Sequence, residues 1–318
     1  MRRPFVCVAL CLLSLVCYLM FSPILFAQEK SDYIGADSCK ECHKDHYDTY
    51  LRSIHAAKFI PNSPGKGDAC EACHGAGGPH IQKGGGKGSM LSFTRSNDPK
   101  EKSGKCLACH IDSNKMAFWT LSKHKVSGLS CDSCHVVHVA SGSSVTGKLS
   151  NLAVQKKYLK TPLPDLCFSC HKDIRSQTMK QAHHPIREGK TLCFSCHEPH
   201  GGFGPKMLKT DSVNELCYKC HAEKRGPYLR EHPPVAENCL NCHVAHGSNH
   251  NNLLVSRTPQ LCQSCHDWSA HPGVPNTRFG TFQGQNPSNR MFSRNCQLCH
   301  SAVHGSSSPA DRGKKLIR

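Results

Sequence analysis

Apolar bulk is scarce in this sequence. Of 318 residues, 38% are hydrophobic and 7% aromatic, and Trp119 and Trp268 are the only tryptophans. Part of that apolar content is spent near the N-terminus, so a conventional core for the rest of the chain is not expected. After Ala27 no run is long and apolar enough to cross a bilayer as a helix, and no set of alternating strands suggests a barrel. The mature chain therefore cannot cross lipid unaided. Spare cysteine is also missing. Three of the 23 cysteines, Cys7, Cys11 and Cys17, lie in the N-terminal apolar run, and the other 20 all belong to one motif, so no structural disulfide is predicted. A phosphate loop is excluded because Gly86-Lys87-Gly88 lacks the required G-K-[S/T] ending.

What the chain does contain is Cys-x-x-Cys-His, ten times. The copies are Cys39, Cys42 and His43; Cys70, Cys73 and His74; Cys106, Cys109 and His110; Cys131, Cys134 and His135; Cys167, Cys170 and His171; Cys193, Cys196 and His197; Cys217, Cys220 and His221; Cys239, Cys242 and His243; Cys262, Cys265 and His266; and Cys296, Cys299 and His300. Residues i, i+3 and i+4 share a face of a helical turn, so the motif aims two thiols and one imidazole at the same side. The thiols can form thioethers with a porphyrin while the imidazole reaches its iron, which is the attachment signal of c-type haem. Zinc also uses Cys-x-x-Cys pairs, but it does not require a histidine after each one. A disulfide framework leaves those histidines unexplained too. Ten covalently attached haem c groups are expected, and no zinc.

Arg2 and Arg3, an apolar stretch from Phe5 to Phe21 and a small residue at Ala27 read as a secretory signal over 1–27, cleaved after Ala27. An uncleaved anchor is the alternative, because Phe5 to Ala27 is long enough to span a bilayer. No lipoprotein signal is visible at Cys11 or Cys17. Export suits the haem reading, since c-type attachment takes place outside the bacterial cytoplasm. The formal charge of +17 invites a nucleic-acid partner. Haem propionates, about two per group, offset most of it and bring the holoprotein to between about +5 oxidised and about −5 reduced. There is also no interleaved aromatic platform for bases. No nucleic-acid partner is expected.

The motifs form a repeat of five doubled units, beginning near residues 33, 100, 161, 211 and 257. In the later units the first motif follows an acidic or amide residue and Leu, as in Asp165-Leu166-Cys167. The second is flanked by free histidines on both sides. Two per unit supply ten candidate distal ligands: His55, His80, His124, His138, His183, His200, His232, His246, His271 and His304. Register favours His183, since Ile186-Arg187-Glu188 aligns with Val235-Ala236-Glu237 and sets His183 over His232. The proline after His184 favours His184 instead, so the choice stays open. A histidine three residues after a motif cannot travel round the macrocycle to its own iron, so His138, His200 and His246 should serve neighbouring haems. His46 and His250 are left as surface or propionate-contacting side chains. Mature Met90, Met116, Met179, Met207 and Met291 follow no repeat and are read as packing. The expected fold is mainly α with extensive loop: an extended chain of short attachment helices around a haem-packed core, with little or no sheet. The Gly- and Ser-rich stretches 75–88 and 141–150 read as flexible connections. A decahaem domain covers 28–304, and 305–318 is a polar, mobile tail.

Ten closed irons leave no position for substrate, and the Lys-terminated site that marks the active haem of multihaem nitrite reductases does not occur. An electron-transfer protein, not an enzyme, is expected. Gly35-Ala36-Asp37-Ser38-Cys39-Lys40-Glu41-Cys42-His43, Cys70-Glu71-Ala72-Cys73-His74-Gly75-Ala76-Gly77-Gly78-Pro79-His80 and His183-His184-Pro185-Ile186 resemble the MtrA/DmsE family of periplasmic decahaem cytochromes, and the resemblance covers 33–304. It implies a haem wire inside an outer-membrane β-barrel protein. The wire would pass electrons between a periplasmic or inner-membrane cytochrome and an extracellular multihaem cytochrome, in extracellular electron transfer, anaerobic respiration or iron oxidation. It also implies two pentahaem halves, although five doubled units are plainer in the sequence. A soluble periplasmic shuttle to a terminal reductase and a subunit of an extracellular haem filament are the alternatives.

Overall fold

The computed structural model describes residues 32–139, 158–266 and 295–317. The N-terminal signal, the Ser141–Ser150 connection and His271 lie outside them. The chain divides into two compact bodies after Ser92, that is, after the first doubled unit.

Among the described residues the structure is short helices and loops, with isolated β-bridges and no strand. The expectation of a mainly helical, loop-rich chain is met. Side-chain burial is slight. The buried apolar residues are Tyr50, Ala76, Trp119, Val139, Phe168 and Ile186, far too few for a polypeptide core of this length.

In the first body, helices Ala36–Lys40 and Lys44–Leu51 surround the first motif, and Glu71–His74 and Gly78–Gln82 surround the second. The glycine-rich stretch is a fold-back, not a loose connection. Gly84, Gly85, Gly86 and Gly88 all have positive φ, which a residue without Cβ adopts at little cost. The turn they make returns Ser89 to His80 and Leu91 to His74.

In the second body the longest helix, Pro99–His110, starts with proline in its first turn and Asp98 as N-cap, accepting from Lys100 N at 2.9 Å. It carries the third motif on its last turns. Side-chain caps recur at several of the turns that bear a motif or a free histidine. Ser122 Oγ accepts from Lys125 N ahead of the turn bearing His124. Ser133 Oγ accepts from Ser130 N at the fourth motif, and Ser195 Oγ from Leu192 N at the sixth.

The two motifs of a unit leave their turns differently. His43, His171 and His221, from first motifs, lead into a further helix or turn. His135, His197 and His243, from second motifs, are extended and bridge to Leu159, Leu208 and Leu254. Units are also stitched together by backbone. Ala182 and Ser248 exchange hydrogen bonds, as do Arg230 and Ser306. The segment after Gly305, expected to be mobile, instead folds back: helix Asp311–Lys314 brings the Leu316 carbonyl to Ala302 N and the Lys315 carbonyl to the His300 ring.

Candidate metal centre

Each motif is one helical turn. In nine of them the histidine N–H donates to the carbonyl of the first cysteine at 2.9 to 3.1 Å, and the tenth closes helix Pro99–His110. Both thiols and the imidazole therefore share a face. None of the twenty cysteines is in a disulfide. Within each doubled unit the first cysteines of the two motifs are in hydrogen-bonding reach: Cys39 and Cys70, Cys106 and Cys131, Cys167 and Cys193, Cys217 and Cys239, Cys262 and Cys296. Burial, then the neighbouring Cys70, pushes Cys39 up to about 11. From unit to unit in the second body it is second cysteines that approach: Cys134 with Cys170, Cys196 with Cys220, Cys242 with Cys265. Attachment edges thus alternate along the chain in sequence order.

The motif histidines face free histidines. Ring centres lie 6.2 Å apart for His43 and His80, 6.0 Å for His135 and His200, and 6.3 Å for His124 and His171. The spacing is 6.5 Å for His184 and His221, 6.2 Å for His197 and His246, 6.1 Å for His232 and His266, and 6.2 Å for His243 and His304. Two metal–imidazole bonds of about 2 Å, plus about 1 Å from each ring centre to its nitrogen, require about 6 Å. That spacing would let the two imidazoles of each pair hold one metal between them.

Hydrogen bonds at Nδ1 set the tautomer. His74 Nδ1 donates to Leu91 O, His197 to Lys206 O, His243 to Asn252 O and His300 to Lys315 O. The His135 ring is hydrogen-bonded to the Tyr158 carbonyl. Among the free histidines, His124 Nδ1 donates to Pro199 O, His184 to Ala245 O and His232 to Val303 O. A carbonyl only accepts, so each of these Nδ1 atoms carries the proton and Nε2 keeps its lone pair for a metal. Burial pushes His135, His200, His246 and His304 below the usual histidine range, which favours the same neutral ring.

The pairs also tie units together. Pro199, Ala245 and Val303 immediately precede His200, His246 and His304. The leading histidine of one unit is thus held by the backbone that carries the trailing histidine of the next. His124, His184 and His232 face the first motif of the following unit, while His200, His246 and His304 face the second motif of the preceding one. His80 faces a motif of its own unit.

One expected histidine is displaced. His184, not His183, faces His221. His183 has both ring nitrogens taken, Nδ1 by Lys180 O at 2.8 Å and Nε2 by Glu188 Oε1 at 3.1 Å. The Glu188 carboxylate, then the Lys180 carbonyl, holds its pKa above the usual value. Register favours His183; the proline after His184 is the signal that points the other way. His55 sits in the turn Ile54–Ala56, with Tyr50 OH donating to its carbonyl. His138 follows the fourth motif, and His271 lies outside the described residues. Of the two histidines left over, the His46 ring lies 6.2 Å from His43 on the adjacent turn, and His250 N donates to Ser248 Oγ.

These residues fit c-type haem. Such a haem asks the protein for two thiols and one imidazole on each face, and the macrocycle supplies the remaining iron ligands. Accordingly the histidines come in twos, and among the described residues no cluster of three or more metal-binding side chains assembles.

Comparisons with known proteins point the same way. The doubled CXXCH motif family matches residues 183–226 and 232–271, and the cytochrome c-type protein NrfB-like family matches 70–151. A relative named multiheme cytochrome MtrA, from Shewanella baltica (strain OS185), is 37% identical over 300 residues, covering 92% of this chain and 84% of that protein. A protein named dissimilatory sulfite reductase MccA, from Wolinella succinogenes, is 28% identical over 200 residues, covering 51% of this chain and 27% of that protein.

Proposed function

The chain belongs to the MtrA-type multihaem cytochromes, and we propose that it conducts electrons along ten bis-histidine c-type haems between periplasm and cell exterior, inside an outer-membrane β-barrel partner. Haem c supplies reversible one-electron iron chemistry when attached. The polypeptide's task is to hold each group by two thiols, place an imidazole on either face and keep neighbours adjacent. The observation that carries this reading is the repeated pair of facing rings about 6 Å apart with Nδ1 committed to carbonyls. Imidazoles on both faces leave no position for a substrate. The alternating approach of first and second cysteines supports a continuous order from one motif to the next.

In this reading the chain is exported and stands at the outer membrane. Among the described residues no helix is long and apolar enough to cross a membrane, and in this reading a separate protein lines the passage. An extracellular multihaem cytochrome outside and a periplasmic or inner-membrane cytochrome inside complete the route.

A reductase is the second reading, because the partial relative MccA is named for sulfite reduction. Carbon monoxide titration of the reduced protein separates the two. The conduit predicts no stoichiometric binding, whereas one equivalent bound would mark an open iron and favour a reductase. Affinity purification tests the partner: an outer-membrane barrel should copurify, and electrons should enter sealed vesicles only when both proteins are present. A protein recovered alone in the periplasmic fraction would leave the soluble shuttle.

A further inference from the structure

We propose that Glu71 is the positioning residue of the first doubled unit, holding both attachment segments and the turn that presents His80 to His43. The inference rests on His43 and His80 being the axial ligands of the first haem. Glu71 lies between Cys70 and Cys73 and is only 2% exposed. Its Oε1 accepts from Ile34 N at 3.1 Å and Gly77 N at 2.7 Å, and its Oε2 accepts from Gly35 N at 2.9 Å. Ile34 and Gly35 lead directly into the helix carrying Cys39. Gly77 opens the turn that carries His80. One side chain therefore fixes three segments that must agree before His80 can face His43.

The fit is close. A Cβ on Gly77 would meet Ile34 Cδ1 at 3.0 Å, and one on Gly78 would meet Asp32 O at 2.9 Å. A buried carboxylate is costly unless its oxygens are satisfied, so a bland structural residue would be apolar here. The device recurs in the second body with different charge. Asp132 holds the same place in the fourth motif and is reached at 3.2 Å by Lys102, four residues before Cys106. In the fourth unit Asn214 accepts from Cys239 N and donates to Val235 O and Ala236 O. In each case a buried polar side chain ties the approach of the first motif to the second. In the first unit it is a carboxylate that accepts from three backbone amides, an acidic side chain set between the two motifs.

The test is Glu71→Gln in the full-length holoprotein, with His80→Ala as reference. Glu71→Gln can set an NH₂ against Gly35 N–H and removes the charge. The expected result is full haem content, one equivalent of new ferric high-spin signal matching that of His80→Ala, and an upward shift in the potential of one haem. A wild-type spectrum and redox titration for Glu71→Gln, alongside a high-spin haem in His80→Ala, would overturn the proposal and spare the ligand assignment. An all-low-spin His80→Ala would overturn both. If Glu71→Gln does not mature, Glu71→Asp decides: a fractional high-spin signal supports the proposal, and a wild-type spectrum ends it.

Discussion

A histidine becomes a ligand or a surface side chain according to what its two nitrogens meet. His183 and His184 are adjacent and chemically identical, yet His184 gives Nδ1 to a carbonyl and faces His221, while His183 has both nitrogens occupied. His184→Ala is expected to open one iron, seen as one equivalent of high-spin haem that binds carbon monoxide. His183→Ala should leave every haem low-spin, and the reverse outcome would restore the register argument. Buried charge is decided at this scale too. Lys102 donates to Thr94 O and Asp132 with its side chain 5% exposed. Lys102→Met strands the Asp132 carboxylate, which should cost about 3 kcal/mol, read as a lower denaturant midpoint followed at the Soret band. The attachment cysteines and motif histidines were legible from spacing alone, since one helical turn fixes their shared face. The pairing of rings was not, because it joins residues 34 to 65 positions apart in chain order.

Helical elements here are too short to be stable alone, and their caps and attached groups do the work that length does elsewhere. The turn Lys123–Val126, which bears His124, is capped by Ser122, 1% exposed. Ser122→Ala should cost about 1 kcal/mol, measurable by denaturant titration, and should loosen His124 against His171. Doubling of the motifs was readable as a sequence repeat. Its structural meaning was not: first motifs run on into another helix or turn, while second motifs go extended to bridge a leucine. The glycine-rich stretch and the C-terminal segment show the same limit. Composition read both as loose, but positive-φ glycines, carbonyls aimed at His74 and His300 and the Ser89 hydroxyl against His80 make them supports for those histidines.

Across the second body, ligand exchange makes the units interdependent. Each sets a histidine against a motif of its neighbour and receives one in return, so no unit there supplies all the rings that face its own motifs. A chain ended after residue 294 loses the tenth motif and also His304, the ring facing His243. The expected product carries nine haems with one high-spin, counted by haemochrome assay and electron paramagnetic resonance. Nine low-spin haems would argue that the units are independent beads. The sequence by itself determined the kind of cofactor, the number of attachment motifs and the supply of histidines, because the motif's chemistry follows from bonding within a single turn. Which histidine meets which motif, and that neighbours are clasped in both directions, only the tertiary structure decided. Trans ligation needs two rings on opposite faces of one macrocycle, and only a chain folded back on itself can deliver the second.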